Sequence, residues 1–420
     1  MRRAVTALLR FAQVLPWLVR AAVTPRKDVR GGGKRILMLT ISAIDVDPRI
    51  AKVTRTLAEH GYTVDVLAPS VAEPWEREVA PGVRYIGVPR VWLWRFFVVY
   101  QDEFRRVGLR RQFDYVHAND LTSLTVAWVL ARIRQVPLIY DAHELWTENV
   151  QPSREGWAPM SRTTRLLASA WERLLLRSVD VLTTVSPSIA AELDRRSPAK
   201  LHPLLLPNYP SLRLAEPVDG SSWRSELGLA DERVLTLYLG GVNPLRNIET
   251  VIRAHRHLPD EHVFVVRGPG IDAYEDEYRT LARAEGVDDR VLLLPPVGMD
   301  DVIAAANGAD CGIVMLRNIC KNFYFFFPNK LFEYALAGIP VAVSDFPDVR
   351  SFVVGEQCGV TFDPDSPQSI ADALRWLGDH RDEARAMGAR GRESVLRERN
   401  WETTAQGLVA AYAGLAEPAQ

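Results

Sequence analysis

The sequence predicts an α/β chain made of two doubly wound parallel-sheet domains in tandem. Three observations carry that prediction. Short apolar runs alternate with helical patterns from Lys34 onward, which is how βα units on a parallel sheet read. The series restarts after a connection containing Pro and Gly around residues 208–222. Chemistry-bearing residues cluster just after the apolar runs, where open parallel sheets bind their ligands.

In the first series RILMLTIS (35–42) is the opening buried strand. Asp47 caps the next helix and Pro48 takes its first position, with Ile50, Val53 and Leu57 as the apolar stripe and Gly61 as the stop. TVDVLAP, VRYIGVP, YVHAND, PLIYDAHE and VDVLTTVS follow as strands. The second series holds six more: VLTLYLGG, HVFVVRGPG, VLLLPPV, CGIVML, IPVAVSD and GVTFD. The stretch from Trp401 to Ala413 reads as a helix that returns to the first domain. The expected divisions are a leader and glycine linker (1–33), a first domain (34–212), a second (213–398) and a terminal helix (399–420).

The 420 residues carry 51 Lys+Arg and 52 Asp+Glu, a net charge of −1. That total excludes nucleic-acid binding driven by bulk charge. It also hides an asymmetry, because residues 1–35 have nine basic side chains and one acid, a net of +8, which leaves −9 for the rest. Three unpaired cysteines, Cys311, Cys320 and Cys358, read as reduced thiols of a cytosolic protein.

The longest uncharged stretch of the leader before Arg20 is Phe11–Val19, far short of the roughly 20 residues of a transmembrane helix. Arg10 and Arg20 interrupt the apolar core that a secretory signal needs. An interfacial anchor fits better, with Leu8, Leu9, Phe11, Leu15, Trp17, Leu18 and Val19 in the lipid boundary and arginines on anionic headgroups. Residues 1–30 are therefore expected to hold the protein at the inner face of the cell membrane. A basic tail packed on the protein itself is the alternative. Pro16 is expected to break or kink a helix there, and Gly31-Gly32-Gly33 to be a flexible joint. VWLWRFFVVY (91–100), followed by Arg105, Arg106, Arg110 and Arg111, is a second aromatic and basic segment, read as mixed: partly interfacial, with Phe97 and Val98 equally suited to packing into the domain core.

The densest constellation is FPNKLFEYALAGIPVAVSD (327–345). Pro328 opens a helix, Asn329 and Lys330 sit at its N-terminus, and Glu333 lies one turn on. A helix N-terminus beside a lysine suits an anion, and a carboxylate one turn deeper can accept hydrogen bonds from vicinal hydroxyls. An exposed i,i+3 ion pair explains the same spacing. Gly240-Gly241 after a strand, with Arg246 beyond, allows close approach to a phosphate. VRGPG (266–270) is a second glycine turn, placed to flank a nucleobase. In the first series Asp141, His143 and Glu144 end one strand and are the candidate catalytic groups. Asp47, Arg49, His117 and Asp120 are the candidate acceptor contacts. Asp45-x-Asp47 could pair on a metal, but Asp47 is already needed as a helix cap, so no metal is expected.

Taken together, DPRI, LAEHGYTVDVLA, YDAHE, VSPSI, LPNYP and above all PNKLFEYALAGIPV resemble the family 4 glycosyltransferases, from Lys34 to the end of the chain. The resemblance implies the GT-B fold, two Rossmann-like domains facing across a cleft. It implies a nucleotide-sugar donor, UDP- or GDP-linked, on the second domain, an acceptor on the first, no cofactor and no metal. By position, Glu333 resembles the glutamate on the donor ribose, Arg246 and Lys330 the cations on the diphosphate, and His143 the histidine facing the transferred sugar. The family typically retains anomeric configuration. One departure is clear: Phe325 stands where the family often has a glutamate, eight residues before Glu333. The expected activity is sugar transfer to a lipid-linked or surface-glycan acceptor, in polysaccharide biosynthesis. A nucleotide-sugar epimerase of the same fold and a degenerate membrane-bound partner subunit are the competing readings.

Overall fold

The computed structural model describes residues 15–25, 31–42, 44, 47–70, 73–89, 99–153, 156–198, 200–215, 222–230 and 232–416. The chain divides into two compact units, one of residues 1–149, 160–206 and 405–420, the other of 150–159 and 207–404. The division between these units thus falls after Leu206, and the chain returns to the first unit at Ala405.

The first unit is built on an eight-stranded sheet. In chain order its strands are β1 (Arg35–Leu39), β2 (Thr63–Ser70), β3 (Trp75–Ala80), β4 (Val83–Pro89), β5 (Tyr115–Asn119), β6 (Leu138–Ala142), β9 (Val181–Thr184) and β10 (Leu204–Leu205), the intervening β7 (Val150–Ser153) and β8 (Gly156–Pro159) forming a separate hairpin. The spatial order is β10-β9-β6-β5-β1-β2-β4-β3, parallel except for β3, which pairs antiparallel to β4. The sequence reading gives six of the seven parallel strands, but neither the two-residue β10 nor β3. Its residues WEREVA are largely exposed at the sheet edge, so they lack the apolar run of a strand buried on both faces. Asp47 caps the Pro48–Glu59 helix as expected, accepting from the amides of Arg49 and Ile50 at 3.0 and 3.2 Å.

The last helix, Trp401–Ala416, spans the 404/405 boundary. In the first unit its Tyr412 is fully buried, edge-on to Tyr62 and Tyr115 with centroids 5.4 and 5.3 Å away. The backbone of Gly31 donates to Leu415 O at 3.2 Å, and a Cβ there would lie 2.0 Å from the Tyr115 ring. Gly31 is therefore a packed contact, not the flexible joint expected of the glycine run.

Residues 15–23 are helical and lie on the same unit, with Pro16 accommodated in the first described turn. The Arg105 guanidinium stacks 4.1 Å from the Trp17 ring centroid, and Arg132 Nε donates to Ala21 O at 3.1 Å. Arg105 is buried and Arg111 pairs with Asp65 and Glu76. Neither has the lipid-facing role expected of the segment that starts at Val91. Most of that segment, residues 91–98, lies outside the described residues, as do Arg90, Asp45 and residues 1–14.

The second unit holds six parallel strands, all six expected: β11 (Val234–Leu239), β12 (His262–Arg267), β13 (Val291–Leu294), β14 (Cys311–Val314), β15 (Val341–Ser344) and β16 (Gly359–Phe362). Their order is β13-β12-β11-β14-β15-β16. Strand order reverses between β11 and β14, the switch point at which such sheets open a crevice beyond their carboxyl ends. In the first unit the corresponding reversal lies between β1 and β5.

Candidate active site

At the switch point of the second unit, β11 ends in Tyr238-Leu239 and runs into Gly240 at φ +139°. The helix Asn329–Ala337 follows β14, with Pro328 preceding it and no side-chain cap on its N-terminus. Tyr334 fixes that helix to the sheet. Its hydroxyl accepts from the Leu239 amide at 2.7 Å, and its ring lies so close to Gly312 that a Cβ there would sit 2.2 Å away. One helical turn earlier, Lys330 is carried beside β11, its Nζ 3.7 Å from the centroid of the Tyr238 ring. A Cβ on Gly240 would come within 2.9 Å of that Nζ, so the glycine makes room for the cation.

Burial holds the Lys330 ammonium well below the usual lysine range, and the charge of Arg246 adds to this while Glu333 opposes it. Arg246 Nε is itself buried without a hydrogen-bond partner. Two cations thus converge on a site that would be stabilised by an anion. Arg246 ends a short turn whose Asn243 side chain accepts from the Leu245 amide at 3.0 Å. Gly241 is exposed and its carbonyl accepts the Tyr238 hydroxyl at 2.7 Å. Asn329 is the first residue of the helix and Glu333 lies one turn on, both half-buried. The glycines of VRGPG back this loop. Gly268 packs its Cα on Gly240 O and Gly270 on Val242 O, each so closely that a Cβ would be within 2.5 Å.

The aromatic run beside the helix divides. Phe323 and Phe327 are core residues, Phe327 edge-on to Phe332 at 4.8 Å. Phe325 is half-buried against Tyr324 (5.9 Å), with the Lys321 ammonium 5.4 Å from its centroid.

In the first unit β5 and β6 end side by side, Asn119 opposite Asp141. Asp141 is fully buried. Its carboxylate takes a two-pronged contact from Arg49 (2.9 and 2.6 Å), the Thr183 hydroxyl (2.6 Å) and His143 Nε2 (3.1 Å). Burial alone would raise its pKa, but Arg49 and then the histidines outweigh that and hold it well below the carboxylate range. Arg49 is 2 % exposed and gives its remaining nitrogen to Leu206 O at 2.8 Å. His117 is fully buried, bonded to the Tyr412 hydroxyl at 2.8 Å. Asp141, expected among the catalytic groups, and Arg49 and His117, expected among the acceptor contacts, are thus all buried and bonded within the unit. Asp47 spends its carboxylate on the helix cap.

Asp120, His143 and Glu144 reach the surface of this strand end. Asp120 opens its helix at φ +60°, a left-handed conformation that Asp tolerates at some cost. There its Oδ1 accepts the His143 amide at 2.9 Å and its Oδ2 lies 3.6 Å from His143 Nδ1. Burial works against a charged His143 ring, yet Asp120 and Asp141 on its two nitrogens win and raise its pKa. Glu144, beside them, accepts from Asn149 Nδ2 at 2.7 Å. Burial first and Asp120 second push its carboxyl up to about 7.

Residues 46–208 match the family model described as a glycosyl transferase 4-like domain, and residues 219–394 match that of the glycosyl transferases group 1. The chain belongs to the family 4 glycosyltransferases. Among this glycosyltransferase's relatives is the D-inositol 3-phosphate glycosyltransferase of Geodermatophilus obscurus, 28% identical over 88% of this chain and 84% of the relative. The enzyme of that name from Xylanimonas cellulosilytica is 26% identical over 91% and 97%. Sucrose-phosphate synthase from Thermosynechococcus elongatus superposes with a TM-score of 0.77 at 21% identity, covering 91% of this chain and 99% of that one. Anabaena HepE in complex with UDP-glucose does so at 0.71 and 16%, covering 90% and 99%. These neighbours share the GT-B fold of two doubly wound domains.

The residues that sequence reasoning missed are Tyr238, Tyr334 and Thr183. Tyr334 directly follows Glu333, but an aromatic residue at that helical position reads as ordinary core. Tyr238 reads as one more apolar residue of a buried strand.

Proposed function

We propose that this glycosyltransferase moves a sugar from a UDP- or GDP-sugar to a hydroxyl of a lipid-linked or surface-glycan acceptor at the cytosolic membrane face, with retention of configuration. The observation that carries the donor half is the pair Lys330 and Arg246, two cations converging at the switch point with a buried nitrogen of Arg246 unpartnered. Such a pair stabilises the charge that develops on a departing diphosphate. Glu333 takes the ribose hydroxyls, and the amides of Asn329 and Gly241 line the phosphates. With Phe325 in place of a carboxylate, leaving-group stabilisation falls to those cations. The leaving phosphate oxygen takes the acceptor proton on the face being attacked.

Asp120, His143 and Glu144 would orient the acceptor hydroxyl. Their surroundings are acidic, and the nearby guanidinium of Arg49 is already bound to Asp141. A neutral sugar hydroxyl suits this environment better than one carrying a phosphate within a ring's width. A lipid-linked acceptor can keep its phosphates farther from the reacting group. A small polyol phosphate is the second reading, favoured by the names of the relatives.

Thermal shift with UDP-, GDP- and dTDP-sugars tests the donor: one base should stabilise the protein, and a flat panel would remove this reading. Glu333→Ala should weaken binding of that donor about 10–100-fold, as expected for hydrogen bonds to a carboxylate. Transfer by the isolated chain, assayed in parallel with lipid-linked sugar and with inositol phosphate, separates the two acceptors. It also sets transfer apart from epimerisation and from an inactive partner subunit.

Glu144 sets an acid limit. Because it titrates near 7, kcat/KM should climb as pH rises through that value, and Glu144→Gln should flatten the climb. A limb unmoved by that substitution would assign it to another group.

A further inference from the structure

The helix Asp120–Arg134 presents Thr125, Trp128 and Arg132 at i, i+3 and i+7, a single stripe. Two helices dock on it. Arg132 bonds the carbonyl of Ala21 at the end of helix 15–23, and Trp171 of the helix Arg162–Leu176 donates to Thr125 Oγ1 at 2.9 Å while meeting Trp128 edge-on at 6.2 Å. Each docked helix buries one side and leaves an apolar stripe on the other. On the first these are Leu15, Val19 and Val23, 46, 51 and 72% exposed. On the second they are Leu166, Leu167 and Leu174, at 68, 68 and 45%. These six are nearly half of the thirteen exposed large apolar side chains among the described residues. At 100° per residue, Thr163, Leu166, Leu167, Ala170 and Leu174 fall in one sector about 100° wide.

Charge identifies what covers this surface. Arg162 and Arg173 border the leucine sector and are exposed, while Arg165, on another side of the helix, pairs with Glu148 at 3.2 Å and Arg177 caps the C-terminus. The helix has one acid, Glu172, and that side chain is buried toward Tyr140, whose hydroxyl donates to it at 3.2 Å. An apolar stripe edged by arginines, with the acid turned inward, matches an anionic lipid surface.

The geometry points to a composite membrane-facing surface, in which the helix Arg162–Leu176 and the helix 15–23 together enter the headgroup boundary of an anionic bilayer. This deepens the proposed membrane-face location by naming a second contact element beside the leader, and it rests on that location.

Co-sedimentation of the full chain with phosphatidylglycerol vesicles and with pure phosphatidylcholine vesicles tests it. The wild type should bind the anionic vesicles, and less so at higher ionic strength. The triple variant Leu166→Glu, Leu167→Glu, Leu174→Glu should bind at least tenfold less while keeping its thermal shift with the donor nucleotide, which shows that it is folded. Val19→Glu with Val23→Glu should do the same. Loss in the leader variant with full binding by the triple variant would overturn the composite surface and leave the leader alone. Absence of wild-type binding would overturn it as well, leaving the donor assignment standing. A wild-type dimer that the triple variant abolishes, without vesicle binding, would reassign the surface to a second copy of the chain.

Discussion

Lys330→Met should lower kcat/KM by about 10²–10³-fold, the usual cost of removing one preorganised group from developing negative charge. The same substitution should raise the melting temperature of the ligand-free protein. In that state the ammonium is held beside Tyr238 and Arg246, and its pKa is depressed first by burial and then by the arginine. A lysine whose pKa is lower in the folded than in the unfolded chain costs stability at neutral pH, and that cost fades as pH rises toward the unfolded value. Methionine keeps the volume and drops the charge. The nucleoside diphosphate that rescues the wild type should then stabilise the variant far less. Calorimetry adds an independent sign. A bound diphosphate restores the lysine pKa, so binding at a pH where the free enzyme's lysine is partly neutral must take up protons, and titrations in buffers of different ionisation enthalpy will show it. Equal melting temperatures together with equal nucleotide response would remove Lys330 from the donor site.

Asp141→Ala should destabilise the first unit by about 3–5 kcal/mol, because it leaves Arg49 buried without its carboxylate. Thr183 and His143 lose an acceptor in the same step. The native pKa of Asp141 lies below the unfolded value, so its contribution is present above roughly pH 4 and is lost as pH falls through the native value. Denaturant unfolding at neutral pH measures the loss directly. Arg49→Met in the Asp141→Ala background should recover part of it, since an apolar pair of similar volume no longer strands a charge. A change below 1 kcal/mol for Asp141→Ala would return Asp141 to the list of groups held for chemistry.

These two residues show what the sequence could and could not disclose. Lys330 was legible because its neighbours are local: Pro328 starts the helix, and Glu333 follows one turn later. The buried setting of Asp141 is not legible because its principal partner, Arg49, lies 92 residues away, and a polar residue at a strand end reads the same whether it faces solvent or the interior. Most parallel strands stand out as apolar runs, whereas β3, a polar edge strand, and β10, only two residues long, do not. Gly31 looked like a hinge because a glycine run carries no sign of the tyrosine ring packed against it. The sequence places Asp120 with the acceptor groups, but its left-handed backbone, which brings its carboxylate to the His143 amide, is a property of the fold alone.

The bond between His117 and Tyr412 joins residues 295 positions apart within one unit. Synthesis runs from the N-terminus, so this unit is started first and finished last. While the intervening unit emerges and folds, the pocket lined by Tyr62, Tyr115 and His117 waits without its plug. A chain that stalls or is clipped shortly before Ala405 would therefore spoil the half made earliest and spare the half made most recently. Quality control acting on this enzyme would read the arrival of Tyr412 in the packing around His117.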